Sequence, residues 1–384
     1  MNPNRNLAAA LLIATAAMAA MLWLGVPNPA KRAVELAVFR ELVLPFHALS
    51  PEAQAQEIAA LVALQERTSE ELFRSPDVLA TGVGLTPRGR LALHIYTEGG
   101  AVPSLPAVLG GVPVVITPAE PFVALQELAT SDELRADTPE DERRDQAEQD
   151  GEINRRSRFE RPVPIGVSTG HTASTAGTIG ALVTDGSSSY ALSDHHVFAA
   201  GGAAQIGDLL LQPGPFDGGI APTDAIGTLA ALEPIDYSLF ANNRVDAALA
   251  LTDDVDYRTP EDGYGAPRTT PVTAVPGMKI KKYGRTTGLT RGTVQTINAT
   301  VNVRYKNDVA RFVGQVIACC SVSAGGDSGS LIVVDDVDDD GEQGSDDRRP
   351  VGLLFAGNGN FTIANPIEEV LDRFDVRIVG DDSN

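Results

Sequence analysis

Apolar and polar positions change period several times along the chain. Leu7–Val26 is a charge-free run of 20 residues behind Met1–Asn6, whose only charged side chain is Arg5. It just reaches the length that crosses a bilayer, so residues 1–27 read as a signal peptide or a membrane anchor. Apolar positions then recur at helical spacing over Ala33–Leu44 and Pro51–Arg74. Ser50-Pro51 marks a helix start, with serine as cap and proline at the first position. Residues 28–77 are therefore expected to be a helical segment. From Val78 the period falls to two. Val78–Leu85 and Arg90–Tyr96 read as strands joined by Thr86-Pro87-Arg88-Gly89. Leu105–Leu109 reads as a helical turn and Val114–Thr117 as a third strand, giving a small α+β domain over 78–128. Apolar positions are sparse over 129–161. Asp, Glu and Arg dominate there, too polar to offset ordering entropy, which predicts a charged linker whose arginines invite processing.

From Pro162 to about residue 379, short alternating runs are separated by Gly, Asp, Asn and Pro. Ile179–Thr184, Tyr190–Leu192, Asp208–Gln212, Ile226–Leu232 and Val245–Leu251 form a first group of strands. Lys279–Tyr283, Gly292–Thr300, Val301–Tyr305, Phe312–Ala318, Leu331–Val334 and Val351–Phe355 form a second. Pro366–Phe374 reads as a closing helix. An all-β unit of about this size is expected.

Composition sharpens this picture. Hydrophobic residues make up 43% of the chain and aromatics only 5%, so the core must be mainly aliphatic. The formal net charge of −21 argues against nucleic-acid partners, which need clustered cations, and against docking on anionic lipid heads. Cys319 and Cys320 are the two cysteines. Neighbouring cysteines fit disulfide geometry poorly, so no disulfide framework is expected.

The candidate chemistry centres on Ser323-Ala324-Gly325-Gly326-Asp327-Ser328-Gly329-Ser330, which runs into the apolar Leu331–Val334. A serine between glycines can sit on a tight loop whose N–H groups face a developing oxyanion. The chain has five histidines, His47, His94, His171, His195 and His196. All precede Ser328, so the order Ser, Asp, His is excluded and His, Asp, Ser remains. Tyr190–Phe198 carries His195-His196 in a polar turn after a strand. Val245–Leu251 holds one aspartate, Asp246, in an apolar run, where a carboxylate needs a partner. His195 and Asp236 are the rivals of His196 and Asp246. His94 lies mid-strand and reads as structural.

These stretches resemble the chymotrypsin-like (trypsin-like) serine proteases. Gly326-Asp327-Ser328-Gly329 matches their GDSG signature. Leu192-Ser193-Asp194-His195-His196-Val197 is similar to the LSNNHV histidine motif of their cysteine-poor bacterial branch. Asp246-Ala247-Ala248-Leu249-Ala250 matches the D-x-A-[IL]-A aspartate motif. Arg161–Gly166, Gln212–Gly219, Gly284–Gly288 and Gly352–Gly357 also resemble the narrow-leaf type of this family. The resemblance implies two antiparallel six-stranded β-barrels over 162–379 with a C-terminal helix. It implies a serine endopeptidase acting on peptide or protein through an acyl-enzyme, with His196, Asp246 and Ser328 as the triad. The backbone N–H groups of Gly326 and Ser328 would form the oxyanion hole. Val322 falls at the floor of the substrate pocket, which favours an apolar or small side chain over Lys or Arg. A latent protease-fold binding protein and an esterase using the same site are the alternatives. No cofactor is expected for the chemistry. Asp336-Val337-Asp338-Asp339-Asp340-Gly341, with Asp347 at the twelfth position, matches the opening of a calcium loop but lacks flanking helices, so a solvated acidic loop is the default. The apolar N-terminus implies export, as a secreted or periplasmic protein or one anchored to a membrane.

Overall fold

The computed structural model describes residues 45–100, 107–125, 153–174, 177–238, 241–306, 308–320, 322–338 and 341–383. Leu7–Val26, Ala33–Leu44 and most of the charged linker lie outside them. Among the described residues no helix is long and apolar enough to cross a membrane.

Two antiparallel sheets make up the β-domain. The first contains β6 (Ser168–His171), β7 (Gly177–Thr178), β8 (Ala181–Thr184), β9 (Ser189–Ser193), β10 (Leu209–Leu211), β11 (Ala225–Leu232), β12 (Ala248–Leu251) and β19 (Arg377–Ile378), in the order β19-β8-β9-β12-β11-β10-β6-β7. Its inward faces bury Ile179, Leu192, Leu210, Leu229 and Leu249. The second contains β13 (Lys279–Gly284), β14 (Gly288–Tyr305), β15 (Asp308–Cys319), β16 (Leu331–Val334), β17 (Pro350–Gly357) and β18 (Phe361–Pro366). These six run β13-β16-β17-β18-β15-β14, and β13 pairs with β14 to close the ring. The core is mainly aliphatic, as the low aromatic content requires, with an aromatic cluster around Phe312 and Phe355 and separate buried rings such as Phe198 and Tyr283. A helix, Ile367–Phe374, follows β18.

Two expectations change here. Gly292–Thr300 and Val301–Tyr305 form one 18-residue strand, because its irregularities between Val294 and Val301 bend the ladder without ending it. Val245–Ala247 lies outside β12, because the Asp246 backbone bonds to the Asn365 side chain instead of a neighbouring strand.

The N-terminal unit extends the second sheet. Its helix α1 (Pro51–Leu72) is capped by Ser50, whose Oγ accepts the Ala53 N–H. Strands β1 (Val78–Leu85), β2 (Leu91–Thr97), β3 (Val108–Leu109) and β4 (Val112–Pro118) follow. β1 pairs antiparallel with β14, from Ala80↔Val301 to Gly84↔Thr296. Gln65 on α1 is fully buried and reaches three elements at once. Its Nε2 donates to Ser69, Thr81 and Thr300, and its Oε1 accepts from Asn298. Val108–Leu109 is a strand and not the expected helical turn. Gly110 and Gly111, both at positive φ, fold it straight back onto Val112–Pro113. β5 (Phe122–Ala124) then runs parallel to β14 and antiparallel to β17.

The last part of the charged stretch, from residue 153, packs on the β-domain. The Arg158 guanidinium chelates the buried Asp224 carboxylate at 2.5 Å, the Phe159 N–H donates to Gln212 Oε1, and Ser168 N–H donates to the Arg155 carbonyl. Arg155, Arg158 and Arg161 pair with Asp262, Asp224 and Asp254, which composition alone does not reveal.

Candidate active site

The nucleophile loop is held from below by a buried charge. Asp327 points away from solvent. Its Oδ1 accepts the N–H groups of Thr286 and Thr287, and its Oδ2 accepts Thr287 Oγ1 and the Ala324 N–H. The Lys282 ammonium lies 3.3 Å from Oδ2, and both side chains are fully buried. Burial pushes the Asp327 carboxyl upward, but Lys282 and these donors outweigh it and hold it below the usual range. Burial lowers the Lys282 ammonium despite Asp327 beside it. The Gly284–Gly288 turn between β13 and β14 is thus the cradle of the loop carboxylate. Gly329 cannot be replaced without disruption. At φ 91°, its Cβ would fall 2.2 Å from Ser193 Oγ and 2.4 Å from the Thr178 carbonyl.

This support places Ser328 against the first sheet, where its carbonyl accepts the Thr178 N–H at 2.7 Å. His196 enters from a short helix, α2 (His195–Phe198), whose Val197 and Phe198 N–H groups donate to the Asp194 carbonyl. Its Nε2 is 2.8 Å from Ser328 Oγ and its Nδ1 is 2.8 Å from Asp246 Oδ2. Asp246 Oδ1 also accepts the His196 N–H at 3.2 Å. Burial raises the Asp246 carboxyl, but His196 and the Tyr305 hydroxyl at 2.6 Å more than compensate and keep it ionised. Asn365 on β18 fixes the Asp246 backbone by accepting its N–H and donating to its carbonyl, each at 3.1 Å. Among the described residues, the N–H groups of Gly326 and Ser328 have no acceptor, so both are free to meet an oxyanion.

The rivals are placed elsewhere. Asp236 is an exposed turn residue accepting the Ser238 N–H. His195 is buried, with its Nδ1 unpartnered and its imidazole lowered by burial. His94 bonds the Leu85 carbonyl inside the N-terminal unit. Val322 is buried under β14, its carbonyl accepting Thr290 Oγ1 and its side chain closing on Gly292. In the acidic loop, Asp347 Oδ1 is taken by the Lys281 ammonium at 2.7 Å and by the Asp336 N–H. An internal cation therefore already sits on the twelfth-position carboxylate. Asp339 and Asp340 lie outside the described residues.

Sequence reading alone passes over Tyr305, Asn365, Lys282 and Asp194. The last is unusual. Asp194 is 0% exposed, neither of its oxygens has a hydrogen-bond partner, and Oδ2 lies 3.8 Å from His196 Nε2. The nearby Gly329 N–H is taken by the Leu354 carbonyl. Burial first, and the Asp246 charge second, push its carboxyl well above the carboxylate range. The folded protein therefore retains a proton that the unfolded chain releases near pH ~4. This contribution to stability is complete below that pH and is lost as pH rises through the folded value. Asp194→Asn has no such proton. Its stability relative to wild type should climb as pH is raised from about 4, read from denaturation midpoints of both proteins over a pH series. Parallel curves would mean Asp194 is ionised in the fold.

The chain is similar to known proteases in sequence over one short stretch and in fold over its β-domain. Among characterised proteins it matches glutamyl endopeptidase 2 of Streptomyces griseus, with 50% identity over 56 residues, which is 15% of this chain and 27% of that protein's length. No family model matches. Among solved structures, Thermobifida fusca protease A aligns with TM-score 0.40 and 20% identity, covering 57% of this chain and 99% of that one. Cellulomonas bogoriensis chymotrypsin aligns with TM-score 0.38 and 19% identity, covering 58% and 100%.

Proposed function

We propose that the chain is a serine endopeptidase that hydrolyses peptide bonds through an acyl-enzyme. The observation that carries this reading is the continuous hydrogen-bonded line from Asp246 through His196 to Ser328. Ser328 Oγ attacks the scissile carbonyl, and His196 Nε2 takes its proton and returns it to the leaving amine. Asp246 holds the imidazole with Nδ1 protonated and stabilises the cation that forms. The Gly326 and Ser328 N–H groups receive the oxyanion. These groups suffice for the reaction without a cofactor.

The substrate pocket is read as apolar, from the buried Val322. The similar Streptomyces protein is named for glutamyl cleavage, which gives the comparison to make. Extracytoplasmic placement rests on Leu7–Val26 alone.

A fluorophosphonate probe tests the reading directly. It should modify Ser328 and no other residue, shown by peptide mapping, and His196→Ala should abolish the reaction. A folded protein whose Ser328 stays unmodified in every variant would end the enzymatic reading. Peptides differing only in the residue before the scissile bond should be cut faster with Leu than with Glu, and the reverse order would transfer the relative's specificity to this chain.

A further inference from the structure

β16 pairs with β17 as far as Leu331↔Leu353, where the Ser328 loop runs into it. The Leu354 N–H donates to the Ser330 carbonyl, and the Gly329 N–H donates to the Leu354 carbonyl. Beyond that point Ala356 and Gly357 keep β18 on one side, as Ala356↔Ile363 and Gly357↔Thr362. Their other side is filled by β5, as Ala356↔Ala124 and Gly357↔Val123 in antiparallel register. The Leu125 N–H donates to the Phe355 carbonyl at 3.3 Å, and Ser328 Oγ lies 3.5 Å from that same oxygen. The Asn358 Nδ2 donates to the Glu120 carbonyl at 2.7 Å and fixes the far end of the segment.

The segment from Glu120 to Leu125 is thus an extended peptide laid along an open strand edge that ends at the nucleophile. Strand addition of this kind recognises backbone, and pockets for alternate side chains supply the selectivity. Here the added strand belongs to the chain itself. The Leu125 side chain is fully buried. It joins the apolar cluster that contains Leu354 and Val294, and a Cβ on Gly357 would meet its Cδ2 at 3.5 Å. A large apolar side chain is therefore seated beside Ser328, with its backbone N–H on the carbonyl that the serine hydroxyl also faces.

We infer that Val123–Leu125 fills the acyl side of the substrate cleft in cis, and that the peptide bond following Leu125 is this chain's own cleavage site. The step rests on the endopeptidase reading. Ser328 Oγ adds to the Leu125 carbonyl carbon as its proton passes to His196. The bond from that carbon to the Gln126 nitrogen breaks, and His196 delivers the proton to the leaving amine. Water then hydrolyses the ester, with His196 as base, to leave a carboxylate on Leu125 and a free amino group on Gln126. The inference also assigns the substrate class: an extended strand with a large apolar residue on the acyl side.

The test uses the full chain as wild type, Ser328→Ala and Val123→Pro. Each is followed by intact mass and by sequencing of new N-termini at several protein concentrations, with the fluorophosphonate probe reporting Ser328. The wild type should yield a new terminus at Gln126 at a rate independent of concentration, and Ser328→Ala should stay whole. Val123→Pro removes a backbone N–H from β5. It should slow the cut by about tenfold or more and speed probe labelling by a similar factor. If Val123→Pro is labelled at Ser328 but the wild type is not cut after Leu125, or is cut first elsewhere, the inference falls and the endopeptidase reading stands. If Ser328 is labelled in neither protein, both fall together.

Discussion

Ser328→Ala is expected to lower turnover of a peptide substrate about 10⁶-fold, judging from serine triads of this geometry. The alanine leaves His196 Nε2 without its 2.8 Å partner and removes the atom that forms the acyl-enzyme. Asp246→Asn should cost about 10⁴-fold, because the neutral amide no longer stabilises the imidazolium and its N–H groups can donate to Nδ1, favouring the wrong tautomer. The two losses should not multiply. Once the nucleophile is gone, the orientation of its base no longer matters, so the double variant should turn over no more slowly than Ser328→Ala. The measurement is kcat on one peptide for the wild type, both single variants and the double variant. Turnover in Ser328→Ala within about tenfold of wild type would move the nucleophile to another residue.

Lys282→Met should destabilise the fold by about 3–5 kcal/mol, the range seen when one member of a buried ion pair is removed. Methionine fills the space of the lysine stem but leaves Asp327 charged, with its Oδ2 3.3 Å from the lost ammonium and no route to solvent. Lys282 also donates to Thr287 Oγ1 and the Gly288 carbonyl, so the turn that cradles Asp327 loosens with it. Adding Asp327→Asn should recover part of the loss, because the uncompensated charge disappears with the carboxylate. Denaturant midpoints of the three proteins decide the matter. A loss below about 1 kcal/mol for Lys282→Met would show that the N–H groups of Thr286, Thr287 and Ala324 hold the loop by themselves.

The three side chains of the Asp246–His196–Ser328 line were legible because each sits in a short stretch whose meaning is local. His196 closes a polar turn after β9, Asp246 is the one charge in an apolar run, and Ser328 lies among glycines. Chain order then excluded the order Ser, Asp, His. The supporting residues were not legible, because their roles depend on partners remote in sequence. Lys279-Ile280-Lys281-Lys282 breaks strict alternation, and that was the visible hint of an inward-facing lysine. Nothing near Lys282 announces Asp327, however, and nothing near Asp246 announces Tyr305 or Asn365. Asp194 reads as an ordinary turn aspartate until the fold removes every donor from around it. The N-terminal strands were visible as strands, but alternation cannot say what a strand pairs with. The register that joins Val78–Leu85 to β14 is set by the Gln65 network, whose members come from a helix and two strands.

That pairing has a further consequence for solution behaviour. Among the described residues β14 is the longest strand, and between Thr296 and Val301 its outer side is occupied by β1. A β-domain without residues 45–125 would display this ladder of backbone donors and acceptors to water, beside the apolar Ala299 and Val301. Open ladders of that kind recruit strands from other chains. The N-terminal unit therefore also serves as a self-association guard, and the fate of that unit after any cut at Leu125 bears on whether the β-domain stays monodisperse.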